Sequence, residues 1–220
     1  MQGASAELMA EVAGAARLLS RLGLVSAFGH VSARTKEGFV ITPGTDLAVA
    51  DADRLVDVAG EASELPVGAP AEAWLHLALY RARSDIAAIA RGQPPAAFAA
   101  AAPGRALHPL YGQACWLGAT LPVHDDARLL RNRELATAAA AALPTGEALL
   151  LRGNGAVTTG DSPGLAVARM WLVQACCEVW TSCAPAERRG LGDAEIASWR
   201  AVSGELLPRL SDHLTSRRQP

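Results

Sequence analysis

Apolar positions first fall at helical spacing over residues 4–22, where Leu8, Val12, Ala15, Ala16, Leu19 and Leu22 recur every three or four residues until Gly23 stops them. An amphipathic helix is expected there. Residues 24–34 read as a turn entering a strand, and residues 38–44 as its hairpin partner. The loops around His30 and around residues 42–45 are then expected to approach one ligand. Residues 51–65 fit a short helix or turn followed by an edge strand. Helical spacing returns after Glu72 with Trp74, Leu75, Leu77, Ala78 and Leu79. The short apolar run 86–90 reads as a buried strand, leading into a turn fixed by Gly92, Pro94 and Pro95. A helix thus separates two polar ends, and polar groups at such a strand exit usually face a cleft.

Further on, residues 96–102 form an alanine-rich helix closed by Pro103 and Gly104, residues 121–126 a strand with a polar exit, and residues 129–143 another helix. Strands over 147–151 and 156–160 are joined by Arg152-Gly153-Asn154-Gly155, a tight hairpin whose glycines permit positive backbone dihedrals. Asp161 or Ser162 caps an apolar helix over 163–182. A last helix is expected over residues 193–207, burying Ile196, Trp199, Val202 and Leu206. Neither an internal repeat nor a coiled-coil heptad appears.

The chain has 220 residues, half of them apolar, enough for one domain with a substantial core. A formal charge of −2 and the lack of a basic run argue against nucleic acid or a membrane surface as partner, which leaves small molecules and copies of the chain itself. The longest apolar stretches are too short for a bilayer span, and the N-terminus lacks the pattern of a secretory leader, so a cytoplasmic location is expected. Cys115, Cys176, Cys177 and Cys183 read as reduced core thiols, since none shows the spacing of a zinc-binding pair. Lys36 is the only lysine and falls in an exposed hairpin turn, which argues against Schiff-base chemistry. No nucleophile elbow, phosphate loop or dinucleotide fingerprint occurs.

Glu72, the helix carrying Tyr80-Arg81-Ala82-Arg83-Ser84-Asp85-Ile86 and the strand into Arg91 resemble the class II aldolase/adducin family, in which a glutamate precedes a similar helix and a strand ends in His-x-His-x-Pro. Gly29-His30-Val31-Ser32 is similar to that family's Gly-Asn-Val-Ser segment, and Ile41-Thr42-Pro43 to its Ile-Thr-Pro segment. The resemblance is strongest over about residues 5–185, with a helical extension over about 186–216. It implies a single domain over residues 1–220, a three-layer α/β/α sandwich around a central, mainly antiparallel sheet. It also implies a homo-oligomer, a homotetramer foremost, with clefts at subunit contacts.

In the family both histidines of the strand, with a third from an Asn-His-Gly turn, hold a divalent metal. Arg91, Gln93 and Asn154 occupy those places here. Pro70 and Ala71 stand where sugar-phosphate members carry phosphate-binding serines, so a phosphorylated substrate is not expected. His30 resembles the decarboxylase-like branch, though a lone histidine also fits a structural role. Tyr111 resembles a tyrosine that supplies a proton in some members, or is a core tyrosine with a satisfied hydroxyl. Asn154 is either a hydrogen-bonding amide in the cleft or a residue suited to a tight turn.

With the metal ligands replaced, something else must hold the developing negative charge. Arg91 is permanently cationic and can grip a carboxylate or enolate through two hydrogen bonds. Glu72, Arg91 and Tyr111 are the catalytic candidates; Gly29, His30, Thr42, Gln93 and Asn154 the substrate-binding ones. The function expected is a metal-independent lyase acting on a small hydroxylated carboxylate by decarboxylation, retro-aldol cleavage or dehydration. No cofactor is assigned, and a divalent metal is left open. The alternatives are a non-catalytic, adducin-like ligand-binding or interaction module, and a metal-dependent lyase using a rearranged set drawn from His30, His76, His108 and His124. The His124-Asp125-Asp126 run offers imidazole and carboxylates for a metal, but consecutive side chains diverge and either aspartate suits a helix cap.

Overall fold

In the computed structural model, which describes residues 4–216, the strands β1 (His30–Arg34), β2 (Gly38–Ile41), β3 (Val56–Ala59), β4 (Ala88–Gly92), β5 (Val123–His124), β6 (Ala148–Leu151) and β7 (Gly155–Gly160) form one sheet in the order β3-β2-β1-β4-β7-β6-β5. Every pairing is antiparallel except that of β5 with β6. Helices α1 (Ala6–Arg21), α3 (Pro95–Ala101) and α5 (Pro163–Ser182) cover one face, and α2 (Ala73–Ala82) and α4 (Arg133–Ala141) the other. This is the three-layer α/β/α sandwich with a mainly antiparallel sheet.

Strand periodicity decides which layer each side chain enters. In β1, Val31 and Ala33 join the core beneath α1 and α5, while Ser32 turns to the opposite face and meets α2. In β4, Ala88 and Ala90 point to the α5 side and Ile89 to the α2 side, so Arg91 follows Ile89 toward α2. Because His30 pairs directly with Arg91, the two side chains share that face.

Helix α1 begins at Ser5, whose side chain accepts the backbone N–H of Leu8 at 3.2 Å, and it buries Val12, Ala16 and Leu19 as its spacing requires. Residues 51–65 include a 3₁₀ turn at Ala52–Arg54 and the edge strand β3. Three expectations are corrected. The helix expected over 129–143 starts only at Arg133, because Asn132 caps it by accepting the N–H of Leu135, and Leu129 is left exposed. The strand expected over 121–126 is two residues long, with Leu121 making an isolated bridge to Leu107.

The single helix expected over 193–207 is two, α6 (Asp193–Ala201) and α7 (Ser203–Ser216), broken at Val202. The break turns α7 so that Leu207 and Leu214 enter the α5-side core while Trp199 and Val202 stay partly exposed. All four cysteines are free, and Cys183 is only half-buried rather than in the core. Among the described residues, no helix is long and apolar enough to cross a membrane.

Candidate active site

Glu72 sits at the N-cap position of α2, yet its carboxylate caps nothing. It turns instead onto β4. Glu72 Oε2 lies 3.2 Å from Arg91 Nε, and Glu72 Oε1 accepts from an Arg91 Nη at 3.4 Å. The same Oε1 accepts the Asn154 amide N–H at 3.2 Å, and the Asn154 carbonyl accepts a short hydrogen bond from Arg91. Asn154 therefore clasps both charged groups.

Its position is set by the hairpin between β6 and β7. Gly155 has φ +84°, and a Cβ there would run into the carbonyl oxygen of Gly92 at the end of β4. Only glycine lets the hairpin lie this close to the strand that carries Arg91.

Arg91, a charged side chain, is almost wholly buried, with 1% of its surface exposed. Burial pulls its guanidinium below the usual value and the Glu72 carboxylate raises it again. One guanidinium nitrogen, Nη1, has no acceptor at all, and the Nε–H meets Glu72 at ion-pair distance without hydrogen-bond alignment. A buried cation with unspent donors is costly unless something else accepts from it. Such donors suit a small anion.

These residues open into a cleft of about 690 Å³, a volume suited to a small ligand, lined also by His30, Gln93, Phe28, Leu129 and Arg131. Gln93 is half-buried there. Phe28 and Leu129, 65% and 56% exposed, stand at the cleft as uncovered apolar walls. Sequence reasoning missed Phe28, Leu129 and Arg131, because loop positions carry no periodic signal.

His30 lies 3.8 Å from Glu72 through Nε2. Burial first, then the Arg91 charge, lowers its pKa to about 3, and burial holds His76, the next ring in, well below its usual value too. Both are neutral at pH 7. The unfolded chain therefore binds more protons than the folded one between about pH 6.5 and about pH 3, so the stability these neutral rings carry is complete above about 6.5 and lost as pH falls. Thermal melts should show about 2 kcal/mol lost at His30 by about pH 5, roughly 4–8 °C, with His76 acting in the same direction. A His30→Asn variant should show a shallower acid slope. An equal slope would contradict the burial of a neutral ring.

The other candidates are placed as follows. Gly29 is buried against Val25 and the Arg91 backbone, where a Cβ would clash, so it permits the β1–β4 approach rather than lining the cleft. Thr42 is buried and its hydroxyl accepts the Val31 N–H at 3.2 Å, bracing β1. Tyr111 does not reach the cleft of its own chain. It lies in the opposite layer, near Cys176, Cys177 and Glu178 of α5, with its hydroxyl unpartnered. Asp125 pairs with Arg152 and Asp126 with Arg128, so the His124-Asp125-Asp126 run does not converge on a metal.

The donor set at the strand exit does not fit the metal that the family resemblance implies. Arg91 has no lone pair to give and brings a positive charge, and the Asn154 oxygen already accepts from it. Among the described residues no group of three or more His, Cys, Asp or Glu side chains gathers as a metal site needs.

Residues 10–181 match the family described as "Class II Aldolase and Adducin N-terminal domain". A 3,4-dihydroxyphthalate decarboxylase of Arthrobacter keyseri is 32% identical over 175 residues, covering 71% of this chain and 70% of that protein. The enzyme of the same name from Terrabacter sp. (strain DBF63) is 31% identical over 188 residues, covering 77% and 78%. The crystal structure of L-fuculose-1-phosphate aldolase from Thermus thermophilus superposes with a TM-score of 0.72 at 29% identity, over 80% of this chain and 94% of that one.

Proposed function

Because the chain belongs to the class II aldolase and adducin family, we propose that it is a lyase whose cleft decarboxylates a hydroxylated aryl carboxylate without a metal. The observation that carries this reading is the buried Arg91 beside the cleft, held by Glu72 and Asn154 with Nη1 lacking an acceptor. Relatives named as decarboxylases of a dihydroxylated aromatic acid, and the apolar walls Phe28 and Leu129, support an aromatic substrate. Arg131 adds a second cation at the cleft, suited to a further acidic group.

Glu72 protonates the ring carbon that bears the departing carboxylate, while the neighbouring phenolate oxygen becomes a ketone. The carboxylate then lies β to that ketone. Its C–C bond breaks, CO₂ leaves, and the bonding electrons restore the aromatic ring and the phenolate. In balance, one aryl carboxylate and one proton give one arene and CO₂. Arg91 holds the phenolate oxygen, where charge develops as the bond breaks, and Gln93 donates an amide N–H beside it. A cation on the departing carboxylate would instead stabilise charge that must vanish.

The test is CO₂ release from 3,4-dihydroxyphthalate and from phthalate, each with and without a strong chelator. Release from the hydroxylated acid alone, unchanged by chelator, is expected. Loss of activity with chelator would restore a metal-dependent lyase. No release from either acid would leave the adducin-like binding module as the reading.

A further inference from the structure

Decarboxylation consumes one proton per turnover, and a substrate that fills the cleft stands between Glu72 and solvent. Beside Glu72 the cleft wall is not all carbon. His30, which lines the cleft, has Nε2 toward Glu72 and Nδ1 buried without a partner, and behind it lies His76, fully buried, whose Nδ1 is 2.7 Å from Ser32 Oγ and whose Nε2 has no partner. The two rings are neighbours, edge to face, with centroids 6.4 Å apart. Ser32 Oγ is in turn 2.8 Å from the Tyr80 hydroxyl.

Phe39 stacks on His76 and leans on Tyr80, walling the row in carbon. Tyr80 also lines a second, smaller cavity of about 150 Å³ with Arg34, Gly60, Glu61 and Arg81, none of which lines the cleft.

We propose that Tyr80, Ser32, His76 and His30 form a proton wire that reloads Glu72 from this second cavity. The inference rests on the decarboxylation reading for its purpose, and on the row of atoms for its existence. His76 Nδ1 is hydrogen-bonded along the row and His30 Nε2 faces Glu72 Oε2 at 3.8 Å, while the other nitrogens, His30 Nδ1 and His76 Nε2, are without partners on adjacent rings. With the ring centroids 6.4 Å apart the two nitrogens are too far from one another for a direct hydrogen bond, and one buried water between them would satisfy both.

In the direction of reloading, a proton from water in the second cavity enters at the Tyr80 oxygen as the Tyr80 proton moves to Ser32 Oγ. The Ser32 proton moves to His76 Nδ1, the proton on His76 Nε2 to the water between the rings as that water gives one of its own to His30 Nδ1, and the proton on His30 Nε2 to the Glu72 carboxylate. Every group between the ends gains one proton and loses one. The buried, neutral state of both histidines supplies what this requires, one N–H and one bare nitrogen on each ring.

The tyrosine and the serine act through the histidines, so they are positioning residues for Glu72. The test pairs an activity readout with one independent of turnover. With 3,4-dihydroxyphthalate as substrate, Tyr80→Phe, which removes a single oxygen and keeps the ring packing, and Ser32→Ala should each lower kcat about tenfold or more with KM unchanged and an enlarged solvent deuterium isotope effect. In ¹⁵N spectra of the resting protein, assigned by single histidine variants, His30 and His76 should both carry their proton on Nε2. Ser32→Ala should move the His76 Nδ1 resonance.

A kcat within about twofold of wild type in both variants, or a His76 proton resting on Nδ1, would overturn the wire. Wild-type protein that releases no CO₂ would overturn the decarboxylation reading alone, and the histidine tautomers would still decide the wire.

Discussion

Replacing Arg91 by lysine is expected to lower turnover by about 10²–10³ and to weaken binding of a hydroxybenzoate inhibitor by at least about tenfold. A guanidinium can meet Glu72, Asn154 and a ligand oxygen together because its five donors are spread around a rigid plane, whereas an ammonium is a single point that Glu72 would capture. Arg91→Met goes further. It strips the counterion from a carboxylate that is only 12% exposed and leaves Asn154 without its donor, at a cost of about 3–5 kcal/mol. That loss should appear as a fall in melting temperature of roughly 6–20 °C. A methionine variant that keeps both stability and activity would show that the buried cation is incidental.

Glu72→Gln is expected to separate binding from chemistry in the opposite way. Glutamine keeps an acceptor for Arg91 and Asn154, so the cleft should hold its shape, but it neither holds nor delivers a proton. Turnover should fall by about 10² or more. Affinity for an anionic inhibitor, measured by titration calorimetry, should be unchanged or higher, since Arg91 no longer divides its charge between the Glu72 carboxylate and the inhibitor's phenolate oxygen. Parallel loss of binding and turnover would reduce Glu72 to a brace for Arg91.

The strands around the site were legible because buried strands advertise themselves as short apolar runs: residues 86–90 and 147–151 are read at sight, and the Gly-Asn-Gly hairpin follows from its turn chemistry. Pairing partners were not legible. That His30 stands opposite Arg91 is a fact of tertiary register, invisible in either segment alone. The helix break at Val202 escaped because the apolar spacing runs through it unbroken.

Asn154 lies in the turn and lines the cleft, but its backbone is not left-handed: Gly153 and Gly155 carry the positive dihedrals, so the turn makes no special demand for asparagine. Tyr111 matched a family position, but sequence carries no sign of which layer such a residue enters. The inner row could have been found. Glu72, His76 and Tyr80 are spaced four apart, one face of one helix, and His30 and Ser32 two apart, one face of one strand.

The strand order also fixes when a cleft can exist during folding. His30 meets Arg91 only after β1 has found β4 across β2, β3 and α2, and Asn154 arrives only when β7 closes on the other side of β4. Pairings between segments so distant in sequence are the slow steps of assembly. Until β7 closes on β4, the Arg91 guanidinium lacks the Asn154 amide that clasps it in the finished molecule. Ligand finds no partial site to nucleate on; it selects the finished molecule and draws the equilibrium toward it.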